Sequence, residues 1–321
     1  MKATKITKLT VILATLFLLI GFYPVEVGAK EKFEEKFEKT VSLAKDGEVI
    51  LKNISGDIEV KSWDKDEVKI DALKVSKAST LAEAKENTKK VEIVVKKEGK
   101  TLRIETKYPE NRSIWRKKSL NVSVNYRLWI PSKASVKINS VSGDVGLEEI
   151  GGAAKVKVVS GDVEVRKADK GVDCETVSGD LEIQDITGDA YLKSVSGDIT
   201  GERIKGSIKA EVVSGEIELR EVSEAKVVEG KTISGSVIYQ GKISRDGRYD
   251  LNSHSGNINV TLPSNSSFEL EAKTFSGKIE SDFDIKISGT ISKRKIHGVV
   301  NEGGAVVKLS VFSGNISLRK K

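Results

Sequence analysis

The sequence predicts an all-β protein: a single parallel β-solenoid of about ten coils with an 18–21 residue repeat, preceded by a β-rich cap or insertion containing one short helix. Three observations carry this expectation: a recurring Ser-Gly-Asp corner, apolar columns in register with it, and scarce proline. The corners are Ser142-Gly143-Asp144, Ser160-Gly161-Asp162, Ser178-Gly179-Asp180, Ser196-Gly197-Asp198 and Ser214-Gly215-Glu216, each 18 residues after the last. The interval then becomes 20, 21 and 21 at Ser234-Gly235, Ser255-Gly256 and Ser276-Gly277, and a last corner, Ser313-Gly314-Asn315, follows after 37, about two periods. An early copy, Ser55-Gly56-Asp57, stands 87 residues before the array.

Counting from the corner serine as zero, four columns are apolar and are expected to face inward. Position −4 holds Ile138, Val156, Cys174, Leu192 and Ala210; position −1 holds Val141, Val159, Val177, Val195 and Val213. Position +3 holds Val145, Val163, Leu181, Ile199 and Ile217, and position +8 holds Ile150, Ala168, Ile186, Ile204 and Val222. Apolar pairs two apart, such as Val163 with Val165, give the strand period. Too few side chains are buried per coil to offset the entropy of ordering it, so coils must stack, each strand bonding the one above and below. After Pro131 only Pro263 remains, as strands paired on both edges require.

Residues 30–60 read as a first strand and coil, 61–136 as the cap or insertion, and 137–321 as the repeat array. Within the insertion, Thr80-Leu81-Ala82-Glu83 is a capping box opening a helix near 80–90. Val91–Val95 and Thr101–Thr106 flank a turn, and Asn121–Ile130 alternates as a strand. Ile130-Pro131-Ser132 before one run of corners is echoed by Leu262-Pro263-Ser264 before a later one, so the entry into a coil is reused.

The first 29 residues read as a secretory signal peptide. Lys2, Lys5 and Lys8 precede an apolar run from Leu9 to Tyr23, and small residues, Gly28 and Ala29, end the segment. That run is short for a stable transmembrane segment. Cleavage would remove Lys2, Lys5, Lys8 and Glu26, taking net charge from +7 to +5. The protein is expected to be secreted, periplasmic or associated with the cell envelope. Arg112, Arg116, Lys117 and Lys118 around Trp115 form a local basic cluster, read as a solvated loop rather than a polyanion site; export makes nucleic acid an unsuitable partner.

One cysteine, Cys174, and two histidines, His254 and His297, exclude a disulfide framework and a Cys- or His-rich metal centre within the chain. The acidic ladder Asp144, Asp162, Asp180, Asp198 and Glu216 has the oxygen chemistry of a calcium site. Its like-charge repulsion, about 0.9 kcal/mol per neighbour in water at 4.8 Å, is matched by about 1 kcal/mol from an aspartate bonding its own turn, so turn chemistry is the reading preferred to calcium. Carboxylates are too numerous to single out a glycosidase pair. His254 stands where other corners carry valine or phenylalanine, and Cys174 lies in an inward column; both read as structural. No nucleophile elbow, metal-binding His pair or phosphate-binding glycine loop is present. No catalytic, cofactor-binding or metal residue is therefore assigned, and no cofactor is expected.

These features resemble the bacterial putative-adhesin domain of unknown function, a β-solenoid with recurring Val-Ser-Gly-Asp-Ile corners. The elements are Ile54-Ser55-Gly56-Asp57-Ile58, Ser62-Trp63-Asp64, Ile130-Pro131, the array from Val141, and Gly303-Gly304-Ala305 before Ser313-Gly314-Asn315-Ile316. The resemblance implies a fold and an envelope location, with no catalytic residues to carry over. The later corners depart from it, bearing Ser236, Asn257, Lys278 and Asn315 in place of aspartate. The resulting expectation is an exported, non-enzymatic binding or scaffold protein of the cell envelope. Its partner would be an envelope polysaccharide or a protein, met by outward residues such as Lys155, Lys157, Glu164, Arg166, Lys193, Lys209 and Glu211. The alternatives are a carbohydrate-active β-helix enzyme, a lyase or hydrolase, and an envelope-stress or signalling accessory protein.

Overall fold

The computed structural model describes residues 30–109, 120–287, 292 and 294–321. The leader read at residues 1–29 and the basic cluster around Trp115 lie outside the described residues.

The chain begins with β1 (Glu31–Ser42), β2 (Glu48–Lys52), β3 (Ile58–Trp63) and β4 (Glu67–Ala78), followed by helix α1 (Leu81–Lys89). Next come β5 (Glu92–Glu98), β6 (Thr101–Lys107) and β7 (Val122–Pro131). The regular stretch holds β8 (Ser135–Ser142), β9 (Val145–Ile150), β10 (Ala154–Ser160), β11 (Val163–Ala168), β12 (Val172–Ser178) and β13 (Leu181–Thr187). It continues through β14 (Ala190–Ser196), β15 (Ile199–Lys205), β16 (Ile208–Ser214), β17 (Ile217–Val222), β18 (Val227–Ser234) and β19 (Val237–Gly241). The C-terminal part comprises β20 (Arg248–Ser255), β21 (Ile258–Leu262), β22 (Phe268–Ser276) and β23 (Ile279–Ser281). The last elements are β24 (Ile285–Ile287), β25 (Lys295–Val300), β26 (Ala305–Ser313) and β27 (Ile316–Lys320).

These strands make two sheets, of 13 and 14 strands. In the first, only the β1–β4 and β4–β7 pairs are antiparallel; in the second, only the β5–β6, β22–β25 and β24–β25 pairs are, and every other pair is parallel. Each coil contributes one strand to each sheet, so a coil has two strands. The all-β parallel solenoid expected from the repeat is the observed architecture.

The corner explains why glycine recurs. Gly161, Gly179 and Gly197 have φ of 143°, 143° and 136°, and a Cβ on each would stand 2.1–2.2 Å from the carbonyl oxygen of the preceding corner glycine. Only a residue without a side chain both adopts that backbone and allows the coils to approach. The second strand of each coil carries an extra residue at +7: Glu149, Lys167, Asp185, Arg203 and Glu221 all have φ between 51° and 62°. The pairing of β11 with β13 passes over this residue, from Arg166↔Gln184 to Ala168↔Ile186. The bulge re-phases the strand, so +5 and +8 both point inward although three residues apart.

One expected inward column is corrected. Positions −4, +3 and +8 are buried, but Val141, Val159, Val177, Val195 and Val213 at −1 are exposed. Strand alternation demands this: −6, −4 and −2 share the inner face, which leaves −1 outside. The column that fills the core beside −4 is −2, where serine, threonine and valine mix (Ser140, Val158, Thr176, Ser194, Val212), and all five are buried.

A second correction concerns the ends. The last corner does not extend the array by two periods: β26 lies between β20 and β22, and β27 between β21 and β23. The turn after β21, in which the Ser266 N–H donates to the Pro263 carbonyl (3.0 Å), steps over one level, and the chain's final coil fills it. The N-terminal end does the same. From β7, a turn with Ala134 N–H donating to the Pro131 carbonyl (2.9 Å) leads to β8, stepping over the level held by β2 and β3. The isolated corner at Ser55 therefore rests directly on Ser142.

Beyond the N-terminal level, β4 and β1 extend the first sheet antiparallel and β5 flanks β6 in the second. Helix α1 begins where the Thr80 hydroxyl accepts the Glu83 N–H (3.2 Å), and it packs Ala84 and Thr88 against β1 and β4. No helix among the described residues is long and apolar enough to cross a membrane.

Candidate binding surface

Because every coil repeats its corner, each corner position becomes a column along the stack. At −1 the spatial order is Ile54, Val141, Val159, Val177, Val195, Val213, Ile233, His254, Phe312 and Phe275, following the strand order rather than the sequence. The nine apolar members are 41–66% exposed. At the C-terminal end, the rings of His254 and Phe312 and those of Phe312 and Phe275 stack with centroids 4.8 Å apart and planes within 4°. That rise gives a ridge about 43 Å long. Side chains in the row shield one another, but their outer edges are left to solvent. Nine exposed apolar side chains aligned in one row, interrupted only by His254, differ from the singly scattered apolar residues that are ordinary on a soluble protein.

The Asx column runs beside it. The Asp144 N–H donates to Asp57 Oδ1 (3.1 Å), Asp162 N–H to Asp144 Oδ1 (2.9 Å), Asp180 N–H to Asp162 Oδ1 (2.8 Å) and Asp198 N–H to Asp180 Oδ1 (2.7 Å). Each carboxylate thus bonds the neighbouring coil, not its own turn as the sequence reading had it. Asn257 and Asn315 act likewise towards Asn315 and Lys278 (2.9 and 3.0 Å), which explains why asparagine replaces aspartate at no structural loss. Among the described residues, no group of three or more His, Cys, Asp or Glu side chains is placed to hold a metal ion. At the end of the acidic run, burial together with Glu218 and Asp198 raises the Glu216 carboxyl above its ordinary pKa. Buried hydroxyls of the −2 column complete the corner: Ser253 and Thr274 donate to the carbonyls of Gly235 and Gly314 (2.8 and 2.9 Å). The sequence signal for these was the restriction of −2 to Ser, Thr and Val in the array.

The outer faces expected to bind a partner are largely self-paired. Lys155 meets Asp173, Lys157 meets Glu175 (2.7 Å), Arg166 meets Glu164, and Lys209 meets Glu211 (3.1 Å). At the bulge column, Lys167 reaches Glu149 (3.3 Å) and Arg203 holds Asp185 with two hydrogen bonds (2.7 and 3.1 Å). Arg203 thereby keeps the Asp185 carboxyl below its ordinary pKa. Among the described residues Lys193 makes no such pair, but most of the named outward charges are paired on their own face, and beside them the ridge is a continuous row of a different chemistry.

The residues tested for catalysis are not brought together. Cys174 is fully buried in the −4 column, and burial pushes its thiol up to about 12. His254 is a rung of the ridge, and His297 lies opposite Glu271 in the antiparallel flank. A groove of about 380 Å³ opens on the first sheet near its N-terminal end, lined by Glu59, Asp71, Arg127 and Trp129 among others. Part of its charge is engaged: Arg127 donates to Glu59 (3.0 Å), Lys69 to Asp71 (2.7 Å), and the Lys69 ammonium sits 4.6 Å from the Trp129 ring centroid.

A two-sheet parallel β-solenoid with glycine corners and an external apolar row defines a class of repeat scaffold. Within it, the Toastrack DUF4097 family model matches residues 135–248 and 241–319, and the chain belongs to that family. No curated protein matches it. The chain is similar to solved structures of a putative cell adhesion protein from Clostridium sporogenes ATCC 15579 (14% identity, covering 90% of this chain and 100% of that one, TM-score 0.27). It is also similar to a putative adhesin from Bacteroides fragilis NCTC 9343 (11%, 88% and 97%, TM-score 0.40). A third is a putative lipid binding protein from Parabacteroides distasonis ATCC 8503 (14%, 89% and 97%, TM-score 0.36).

Proposed function

We propose that the protein is an exported, non-enzymatic scaffold of the cell envelope, a stiff rod that engages a protein surface through its apolar ridge. Residues 1–29 serve as its leader, residues 30–60 as the first coil, which carries the rung Ile54, residues 61–136 as the cap at one end of the stack, which includes the outermost coil of β6 and β7, and residues 137–321 as the array that presents the rest of the ridge. The observation that carries this reading is the ridge itself. A row of exposed side chains about 43 Å long has no role in the core, whereas many charges of the remaining faces pair with one another. The ridge favours a protein partner over a polysaccharide, because stacked rings show a sugar their edges rather than their faces.

The test incubates the protein from Lys30 onwards, which contains every described residue, with isolated cell-envelope material. Retention of the protein and release of soluble sugar ends are both scored. Retention that falls at least tenfold in the double variant Phe275→Ser/Phe312→Ser, without sugar release, is the expected result. Sugar release overturns the non-enzymatic reading, and retention indifferent to the ridge overturns its role.

A further inference from the structure

Resting on that reading, the ridge also constrains its partner. A row of ten rungs at about the 4.8 Å strand spacing, which the His254, Phe312 and Phe275 rings show directly, is met over its whole length only by a surface with the same period. An irregular protein surface matches a few rungs and misses the rest. The surface of that period known to accompany this chain is the chain itself. Ten rungs and a strip about 15 Å wide give about 700 Å² per partner, close to the roughly 800 Å² per side of a stable interface.

We infer that two copies of this chain pack ridge to ridge as an antiparallel two-fold dimer, each rung of one copy lying opposite the rung counted from the other end of its partner. Three features of the columns favour this direction. The rungs grade from aliphatic to aromatic, so Ile54 meets Phe275, Val141 meets Phe312 and Val195 meets Val213. Large side chains then oppose small ones and the gap stays even, whereas a parallel pair would put Phe against Phe at one end and Val against Val elsewhere. The flanking +2 column grades from acidic to neutral and basic, which places Asp57 opposite Lys278. The flanking −3 column places Glu175 opposite Lys231 and Lys193 opposite Glu211, which adds meetings across the interface to the pairs that Glu175, Lys231 and Glu211 make within the chain with Lys157, Glu229 and Lys209. Two like-charge meetings, Lys52 with Lys273 and Asp198 with Glu216, stand against these three. A parallel pair sets the −3 column against the +2 column and also makes three opposite-charge meetings, Lys52 with Asp57, Lys157 with Asp162 and Lys193 with Asp198, but three like-charge ones, Glu175 with Asp180, Glu211 with Glu216, and Lys273 with Lys278, so the antiparallel pair leads by one.

The single native cysteine is buried, so an introduced surface cysteine reports geometry without background. Sedimentation of the protein from Lys30 onwards at rising concentration is expected to show a monomer–dimer equilibrium. Val195→Lys, an exposed position near the two-fold axis, is expected to weaken it at least tenfold while the thermal melt stays within a few degrees. With a short bis-maleimide, Ile54→Cys alone is expected to give no covalent dimer, and an equal mixture of Ile54→Cys and Phe275→Cys to give one. Self-crosslinking of Ile54→Cys overturns the antiparallel arrangement, and a monomer at every concentration overturns self-association. The envelope assay separates the two claims. If Val195→Lys lowers retention while the protein sediments as a monomer, the ridge binds another protein and only the dimer fails; if neither changes, both fail.

Discussion

The two ends of the stack solve one problem with opposite timing. At the N-terminal end, the level occupied by β2 and β3 is made before its outer neighbours β6 and β7; at the C-terminal end, the level occupied by β26 and β27 is made after its outer neighbours β22 and β23. Both leave a proline turn that steps over one level, at Pro131 and at Pro263. The slot is filled by the earliest coil in one case and the latest in the other. The fold at the C-terminal end is therefore completed by its final residues, while the N-terminal slot holds a coil that is already present when the array is added.

Deleting residues 305–321 should have the largest effect. It removes Val307, Leu309, Val311, Ile316 and Leu318, all buried, and so about 7–15 kcal/mol of gross burial. Because stacked coils depend chiefly on their neighbours, hydrogen exchange should show protection lost from β20 to β25 but kept in β8 to β16. Loss of protection throughout the stack would mean that the two ends fold as one unit.

Next in size are changes within the strict repeat. Gly197→Ala forces a Cβ to 2.2 Å from the Gly179 carbonyl at φ 136° and should lower stability by about 3 kcal/mol or more. Gly99→Ala, in the β5–β6 turn at φ 58° with open space around it, should lower it by about 1 kcal/mol. Urea denaturation of the two variants ranks them directly, and equal losses would show that coil contact is not what demands glycine in the corner.

The corner ladder offers a finer contrast. Asp180→Ala removes the acceptor of the Asp198 N–H and should lower stability by about 1 kcal/mol. Asp180→Asn keeps the acceptor and removes a like charge between Asp162 and Asp198, so it should be neutral or slightly stabilising. Destabilisation by Asn as large as that by Ala would show that the charge, not the hydrogen bond, matters, and would revive a cation at the ladder.

The smallest effect is expected at the exposed Arg203–Asp185 pair. The folded carboxyl titrates below its unfolded value, so its contribution is present above the unfolded pKa and is lost as pH falls through the folded one. Thermal melts of wild type and Arg203→Ala should differ slightly at neutral pH, converge in acid, and converge also in high salt.

The 18-residue interval made the stacked coils legible, because repetition at a fixed period leaves few folds open. The capping box at Thr80 announced its hydrogen bond to Glu83 in the same local way. What misled was valine at −1: an apolar residue aligned in every copy resembles a core column, and only the parity of the neighbouring buried positions shows it to be outside. The buried −2 hydroxyls were hidden by the converse, since serine and threonine in a core column look like surface. The reversed order of the last two coils was beyond sequence spacing, because a gap of 37 residues fits a level added and a level skipped equally well. The ridge was thus printed in the sequence with its direction inverted.

The interleaved final coil also sets how the rod answers a pull. A load entering through β27 falls on a strand bonded to β21 along its length and to β23 over Ile316, Ser317 and Leu318, rather than on an outer strand with one free edge. Such a strand cannot unzip bond by bond from the outside. Its ladders must slide past two neighbours at once, so the tip of the rod carries tension in shear.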